Sequence, residues 1–243
     1  MYRIDTNRRW EIASMKIGIL GTGMVGQTIG GRFVELDHDV MYGTRDVEKT
    51  LARKEPDAFG NPPFSAWLGQ HPEARLGTFE EAAMHGELIV NATSGTASLA
   101  ALRLAGGGNL SGKVLIDIAN PLDFSQGFPP SLSVCNTESL GERIQEEFPD
   151  ARVVKTLNTM NAFVMTSPEV VPGDHTVFVS GNDAGAKELV TDILTDWFGW
   201  KRTNVIDLGD ITTARGAEMI LPLWVRLYGV LQHPRFNFHI ATG

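Results

Sequence analysis

The stretch Lys16-Ile-Gly-Ile-Leu-Gly-Thr-Gly-Met-Val-Gly-Gln27 constrains this chain more than any other. Ile17 to Leu20 form a short apolar run, the pattern of a strand buried on both faces of a parallel sheet. Gly21, Thr22, Gly23, Met24, Val25 and Gly26 follow as G-x-G-x-x-G, and an apolar helix is predicted over 27–36. The glycines have distinct mechanical roles. Gly21 allows the tight turn, Gly23 lets the backbone approach a pyrophosphate, and Gly26 lets the helix pack closely on the strand. The N–H groups and positive dipole at the helix start suit the phosphates.

A second strand is predicted over 39–42, ending in Gly43-Thr44-Arg45. That end falls about twenty residues past the first glycine, where the adenosine ribose of a bound dinucleotide sits. An NAD site places Asp or Glu there to accept the ribose 2′-hydroxyl. Here stand Thr44 and Arg45, with Lys49 one helical turn on. A hydroxyl and two cations suit a 2′-phosphate, so the pattern points to NADP rather than NAD. The bland alternative is a solvated helix start, with Asp46 weakening the cationic field.

The rest of the chain alternates strand and helix. Residues 56–72 hold Pro62-Pro63, Phe64 and Trp67, too long and too aromatic for a plain connection, and read as a lid or an excursion packed on the core. Strands are predicted over 74–78, 88–92, 113–119 and 152–157. Thr78 and Glu81 form a capping-box pattern for a helix stopped by Gly86, and a further amphipathic helix is predicted over 137–148. Such alternation calls for a doubly wound, mostly parallel α/β sheet of Rossmann type. Ligands of that fold bind at the carboxyl ends of the strands, which brings in the turns Thr93-Ser-Gly-Thr-Ala97, Asn120-Pro121 and Leu157-Asn-Thr-Met-Asn161. Thr93 or Ser94 serves equally well as a cap for the next helix.

Beyond residue 160 the pattern shortens to strands over 176–180 and 204–208, a helix over 183–198 and a long apolar helix over 210–231 interrupted by Pro222. Arg215 and Glu218, three apart, are placed to pair on one helix face. A helix apolar on most sides is buried by its own domain or by a second subunit, and a homodimer interface is expected here. The domain reading is therefore a polar extension over 1–14, disordered or an alternative start before Met15; an NADP-binding domain over 15–160; and a small α/β segment over 161–243.

Composition narrows the function classes. The 243 residues carry a net charge of −8, which argues against a nucleic-acid partner. No apolar run reaches the roughly 18 residues of a membrane span, and residues 1–14 lack the apolar middle of a signal peptide. The single cysteine, Cys135, excludes an internal disulfide and fits a reducing cytoplasm. The histidines are scattered away from strand carboxyl ends, and none of the zinc, nucleophile-elbow or Tyr-x-x-x-Lys patterns occurs. No metal site and no catalytic acid or base is expected. Hydride transfer between two stacked rings needs orientation at about 3–3.5 Å more than it needs a proton donor.

Gly21-Thr-Gly-Met-Val-Gly26, Gly43-Thr-Arg45, Asn120-Pro-Leu122, Lys155-Thr-Leu-Asn-Thr-Met-Asn161 and the segment from Asp207 to Glu218 resemble the coenzyme F420-dependent NADP reductase family over roughly 15–240. The resemblance implies a homodimer that exchanges hydride between NADP(H) and the deazaflavin F420. It implies a 2′-phosphate held by Thr44, Arg45 and Lys49. Thr93, Ser94 and Ala97 would flank the nicotinamide, with Asn120 and Pro121 close by. Leu157 and Asn158 would line the deazaflavin side, in a cleft formed with the C-terminal segment. Two departures stand out: the 56–72 insertion is longer than in the archaeal enzymes, and Asn158 replaces a His-containing motif. Reduction of a flavin, carbonyl or imine, and NADP(H) sensing without turnover, are the competing readings. Imine reductases resemble the N-terminal half but continue into a long all-helical domain, whereas this chain continues into strands.

Overall fold

Ile17, Ile19 and Leu20 have no exposed surface, so the first strand is covered on both faces, as its unbroken apolar run requires. The computed structural model describes residues 14–57 and 60–243. Of the expected 1–14 extension, all but Ser14 lies outside the described residues. The elements are β1 (Lys16–Leu20), α1 (Met24–Glu35), β2 (Asp39–Thr44), α2 (Val47–Ala52), α3 (Phe64–Gln70), β3 (Arg75–Thr78), α4 (Phe79–His85), β4 (Leu88–Asn91), α5 (Gly95–Ala105), α6 (Gly107–Leu110), β5 (Val114–Asp117), β6 (Leu122–Asp123) and β7 (Ser131–Leu132). They continue with α7 (Leu140–Glu147), β8 (Arg152–Thr156), α8 (Ala162–Thr166), β9 (Val177–Ser180), α9 (Ala184–Asp192), β10 (Val205–Gly209), α10 (Ala214–Met219) and α11 (Leu221–Leu231).

Eight strands form one sheet in the order β10-β9-β8-β5-β4-β1-β2-β3. The chain steps from β1 outward to β2 and β3, then returns to the other side of β1 with β4 and β5. The order therefore reverses between β1 and β4, the place where open α/β sheets leave a crevice at the strands' carboxyl ends. One face packs α1, α8 and α9 around Ile29, Phe33, Val164 and Ile193; the other packs α4, α5 and α7 around Ala82, Leu102 and Ile144.

Three features differ from the sequence expectation. Strand β9 runs antiparallel to β8, breaking the parallel alternation. The connection over 157–176 holds only the five-residue α8 and a 3₁₀ turn (Pro168–Val170) instead of a full crossover helix, and the chain re-enters the sheet beside β8 in the opposite direction. The helix expected over 137–148 starts only at Leu140, because Ser139 accepts the Glu142 N–H and caps it there. The long helix over 210–231 is broken into a 3₁₀ turn (Ile211–Thr213), α10 and α11, with Pro222 in the first turn of α11, where a missing N–H costs nothing. Residues 124–130 form the tip of a small antiparallel hairpin of β6 and β7.

The aromatic excursion does pack on the core. Phe64 and Trp67 of α3 lie 4.9 and 5.1 Å from the Tyr42 ring between centroids. Tyr42 itself is buried, and a Cβ added at Gly30 of α1 would lie 2.0 Å from its hydroxyl. Burial holds the Tyr42 hydroxyl well above its ordinary pKa. Helix α11 is the opposite case: only Leu221 and Val225 are buried, while Leu223, Tyr228, Val230 and Leu231 are exposed. No helix among the described residues is long and apolar enough to cross a membrane.

Candidate functional site

The turn after β1 is built as its glycines demand. Gly21 has φ +119°, and a Cβ there would lie 2.6 Å from the Ala92 carbonyl oxygen. Only glycine fits that backbone and that approach. A Cβ on Gly26 would lie 2.3 Å from the Gly21 carbonyl oxygen, so the close packing it permits is of α1 on the turn itself. At Gly23 nothing stands within 4 Å of the same position. The backbone there faces open space. Gly23 is the N-cap of α1, no side chain caps the helix, and its first turn holds no acidic residue. The helix dipole and free N–H groups thus face outward without an anion of the chain's own.

An open cavity of about 480 Å³ extends from this turn along the ends of β1 and β2. Thr22, Gly23, Met24, Thr44, Arg45 and Lys49 line it with Pro62-Pro63-Phe64 of the aromatic excursion, joined by Gln27, Thr50 and Arg53, which the sequence motifs do not include, and by the carboxylates of Asp46 and Asp57. The excursion over 56–72 supplies its far wall. Thr44 Oγ1 is 2.8 Å from Thr50 Oγ1. Asp46 turns its carboxylate onto the Lys49 N–H at 2.9 Å, capping α2 and drawing its charge toward that helix. Among the described residues Arg45 and Lys49 form no ion pair. A dinucleotide carrying a 2′-phosphate fits this donor set: an uncapped helix start over open backbone, then two free cations and hydroxyls where an NAD site needs a carboxylate.

Thr93 to Ala97 and Asn120-Pro121 lie across the β1–β4 crevice from that cavity. Gly21 abuts this region directly: its added Cβ would also lie 3.2 Å from the Thr93 nitrogen. Ser94 is the N-cap of α5, but its hydroxyl does not cap the helix and lies instead 3.3 Å from the Thr96 hydroxyl. At Gly95 a Cβ would lie 1.9 Å from the Asn120 carbonyl oxygen, which locks the start of α5 against the turn after β5. Asn120 and Asn158 exchange hydrogen bonds: Asn120 Nδ2 donates to the Asn158 carbonyl at 2.8 Å, and Asn158 Nδ2 to Asn120 Oδ1 at 2.9 Å. Asn158 also donates to the Ala217 carbonyl at 3.2 Å. Leu157, at φ +61°, and Asn158 are buried, so they support the strand end from below. Asn161 accepts the Phe163 N–H and caps α8.

Beneath these turns sits a buried charge network that sequence reasoning missed. Lys155 Nζ, with no exposed surface, is 2.8 Å from both Asp117 Oδ2 and Glu218 Oε1, and donates to the Ala119 carbonyl at 2.5 Å. Burial works against the Lys155 ammonium, but Asp117 and Glu218 outweigh it and hold its pKa above the ordinary lysine value. Glu218 also accepts the N–H groups of Leu140 and Gly141 at 2.8 and 3.0 Å, at the start of α7. Arg215 instead reaches Glu142, with Nε to Oε2 at 2.8 Å. The expected Arg215–Glu218 pair is therefore absent: one residue points into the core and the other across the surface. Asp117 Oδ1 accepts from Asn91 Nδ2 at 2.8 Å, and Asn91 Oδ1 accepts from Thr93 Oγ1 at 2.6 Å. The signal available in the sequence was a single charge at the end of each apolar strand, Asp117 after Val114-Leu-Ile and Lys155 after Val153-Val154.

The geometry defines a dinucleotide-binding α/β class, and comparison with known proteins narrows it to oxidoreductases. Residues 16–121 match the family described as NADP oxidoreductase, coenzyme F420-dependent. The crystal structure of a candidate F420-dependent NADP reductase from Arthrobacter sp. FB24 is 57% identical, covering 94% of this chain and all of that one, with a TM-score of 0.89. The F420-dependent NADP reductase of Methanocaldococcus jannaschii is 26% identical over 218 residues, 88% of this chain and 92% of that protein. The rat metalloreductase STEAP3 is 26% identical over 214 residues, 86% of this chain; the match spans 38% of the metalloreductase's length. The chain belongs to the coenzyme F420-dependent NADP oxidoreductase family, and is an NADP-dependent oxidoreductase.

Proposed function

We propose that this protein transfers a hydride directly between NADP(H) and coenzyme F420. The observation that carries the choice of acceptor is the 57% identity, across the whole of its length, to the candidate F420-dependent NADP reductase of Arthrobacter. When bound, NADPH supplies a hydride to the deazaflavin ring, which also takes up one proton, so that the deazaflavin is reduced by two electrons and NADP⁺ is left. The chain's own part is to bind, orient and exclude water. Gly21, Thr22, Gly23, Met24, Val25 and Gly26 hold the pyrophosphate at the start of α1. Thr44, Arg45 and Lys49 hold the 2′-phosphate, and the wall from Pro62 to Phe64 encloses the adenosine end. Thr93, Ser94, Ala97, Asn120 and Pro121 shape the nicotinamide end; Leu157 and Asn158, buried at the end of β8, support the deazaflavin side from below.

The exposed apolar face of α11 supports a homodimer in which residues 161–243 complete the acceptor cleft. One exposed cysteine and no disulfide suit a cytoplasmic setting.

The likeness to STEAP3 favours one second reading, in which a flavin or a metal ion takes the electrons. Stopped-flow oxidation of NADPH, with the deazaflavin, FAD and FMN run in parallel, separates the two. Saturable turnover with the deazaflavin alone is expected. Turnover with a flavin alone would transfer the assignment to the second reading.

A further inference from the structure

Three groups stand in a line from the buried ammonium to the crevice, and each fixes the polarity of the next. Asp117 lies beside the Lys155 ammonium at 2.8 Å and, as a carboxylate, can only accept. Asn91, with no exposed surface, must therefore turn its NH₂ toward Asp117, where Nδ2 to Oδ1 is 2.8 Å. Its carbonyl oxygen then faces Thr93, accepting both the Thr93 hydroxyl at 2.6 Å and the Thr93 N–H at 3.3 Å. Asn91 Nδ2 also donates to Ser98 Oγ at 3.2 Å, and Ser98 Oγ lies 2.8 Å from Thr93 Oγ1. The Thr93 proton is thus committed inward, to Asn91 or to Ser98, whose own hydroxyl also reaches the Ser94 carbonyl at 3.3 Å; at least one lone pair of the half-buried Thr93 oxygen takes no donor from this network.

We infer that Lys155, acting through Asp117 and Asn91, sets the Thr93 hydroxyl as a hydrogen-bond acceptor, so that Thr93 selects a nicotinamide ring bearing an N–H donor. The donor it meets is the carboxamide NH₂ of NADPH. This rests on the reading that the nicotinamide lies over the turn from Thr93 to Ala97. Lys155, Asp117 and Asn91 are positioning residues; Thr93 is the contact. A purely structural network would hold the turn in place without caring whether the ligand is a donor.

The test compares NADPH with its reduced 3-acetylpyridine analogue, in which a methyl group replaces the carboxamide NH₂. Dissociation constants for both are measured by fluorescence titration on the full chain. Taking the ratio of the two ligands across variants cancels the intrinsic difference between the rings. The wild type is expected to prefer NADPH by about five- to tenfold, the worth of one neutral hydrogen bond. Thr93→Val should lower the preference by that same roughly five- to tenfold factor relative to the wild type, by weakening NADPH alone, and Thr93→Ser should restore it. Asp117→Asn keeps the hydroxyl but lets Lys155 claim the amide oxygen, so the amide NH₂ faces Asn91 and reverses it. That variant should also lose the preference. An unchanged ratio in Thr93→Val, with NADPH still bound, would overturn the inference even if Asp117→Asn fails to fold. Failure of the wild type to bind NADPH would overturn the cofactor reading, and the inference with it.

Discussion

Glu218 stands at the junction of the C-terminal segment and the sheet, and removing it has a calculable effect. Its side chain is 2% exposed and makes three close contacts: Lys155 Nζ at 2.8 Å, and the backbone N–H groups of Leu140 and Gly141 at 2.8 and 3.0 Å. Glu218→Ala leaves the Lys155 ammonium with Asp117 as its one counter-charge and leaves two N–H groups of α7 without their acceptor. A hydrogen bond to a charged group contributes about 1.5–3 kcal/mol, but three such values do not add for groups acting as a unit. The more direct figure is the loss on removing one partner of a buried ion pair, about 3–5 kcal/mol. For a chain of this size each kcal/mol moves Tm by about 2–4 °C, so a fall of roughly 6–20 °C is expected. Glu218→Gln keeps volume and an acceptor for one N–H, and should fall between Glu218→Ala and the wild type. Arg215→Ala, one turn away on the same helix, breaks only a surface pair with Glu142 and should change Tm little. Equilibrium urea denaturation followed by circular dichroism, with thermal melts beside it, measures all three. A loss below about 1 kcal/mol for Glu218→Ala would refute the picture of a closed, fully paired network.

Three further outcomes follow from the same geometry. Gly23→Ala should leave Tm unchanged, since nothing lies within 4 Å of its new Cβ, yet weaken NADPH binding; Gly26→Ala should destabilise the fold by about 1–3 kcal/mol, because its Cβ meets the Gly21 carbonyl. Isothermal titration and melts on the two variants separate these effects. Arg45→Ala should weaken NADPH about tenfold or more while leaving NADH nearly unchanged, and the difference should shrink as salt is raised; equal loss for both cofactors would sink the 2′-phosphate assignment. His38, buried against Trp197 at 4.3 Å between ring centroids, has its pKa lowered by burial, with Asp37 opposing weakly. The unfolded chain then binds the proton more readily, so the stability His38 contributes is present above about pH 6.5 and is lost as pH falls through its lower folded value. His38→Leu should flatten the urea midpoint between pH 6.5 and 5 relative to the wild type.

The segment from β1 to β2 was legible because its constraints are local. Three glycines at fixed offsets, a strand of apolar residues, and Thr44 and Arg45 in place of a carboxylate directly after Gly43 can each be read without knowing what lies across the sheet. The capping box of Thr78 and Glu81 was legible for the same reason, with both bonds formed. Partners distant in sequence were not. Spacing alone pairs Arg215 with Glu218, but the fold sends Glu218 to Lys155 and Arg215 to Glu142, each more than sixty residues away. The direction of β9 was equally hidden, since it depends on where the connection over 157–176 packs and not on the strand's own residues. Asp117, Asn91 and Lys155 carried a faint signal, polar groups ending apolar strands, whose meaning appears only when β4, β5 and β8 lie side by side.

The most direct measurement of the central claim is the fate of the transferred hydrogen. NADPH deuterated at the nicotinamide C4, in each of the two stereochemical forms, would be incubated with the protein and the deazaflavin, and the products analysed by NMR. The account predicts that one form delivers its deuterium to the ring carbon of the reduced deazaflavin, with none released to water. Deuterium lost to solvent, or NADPH oxidised without label reaching the deazaflavin, would contradict direct transfer between the two rings.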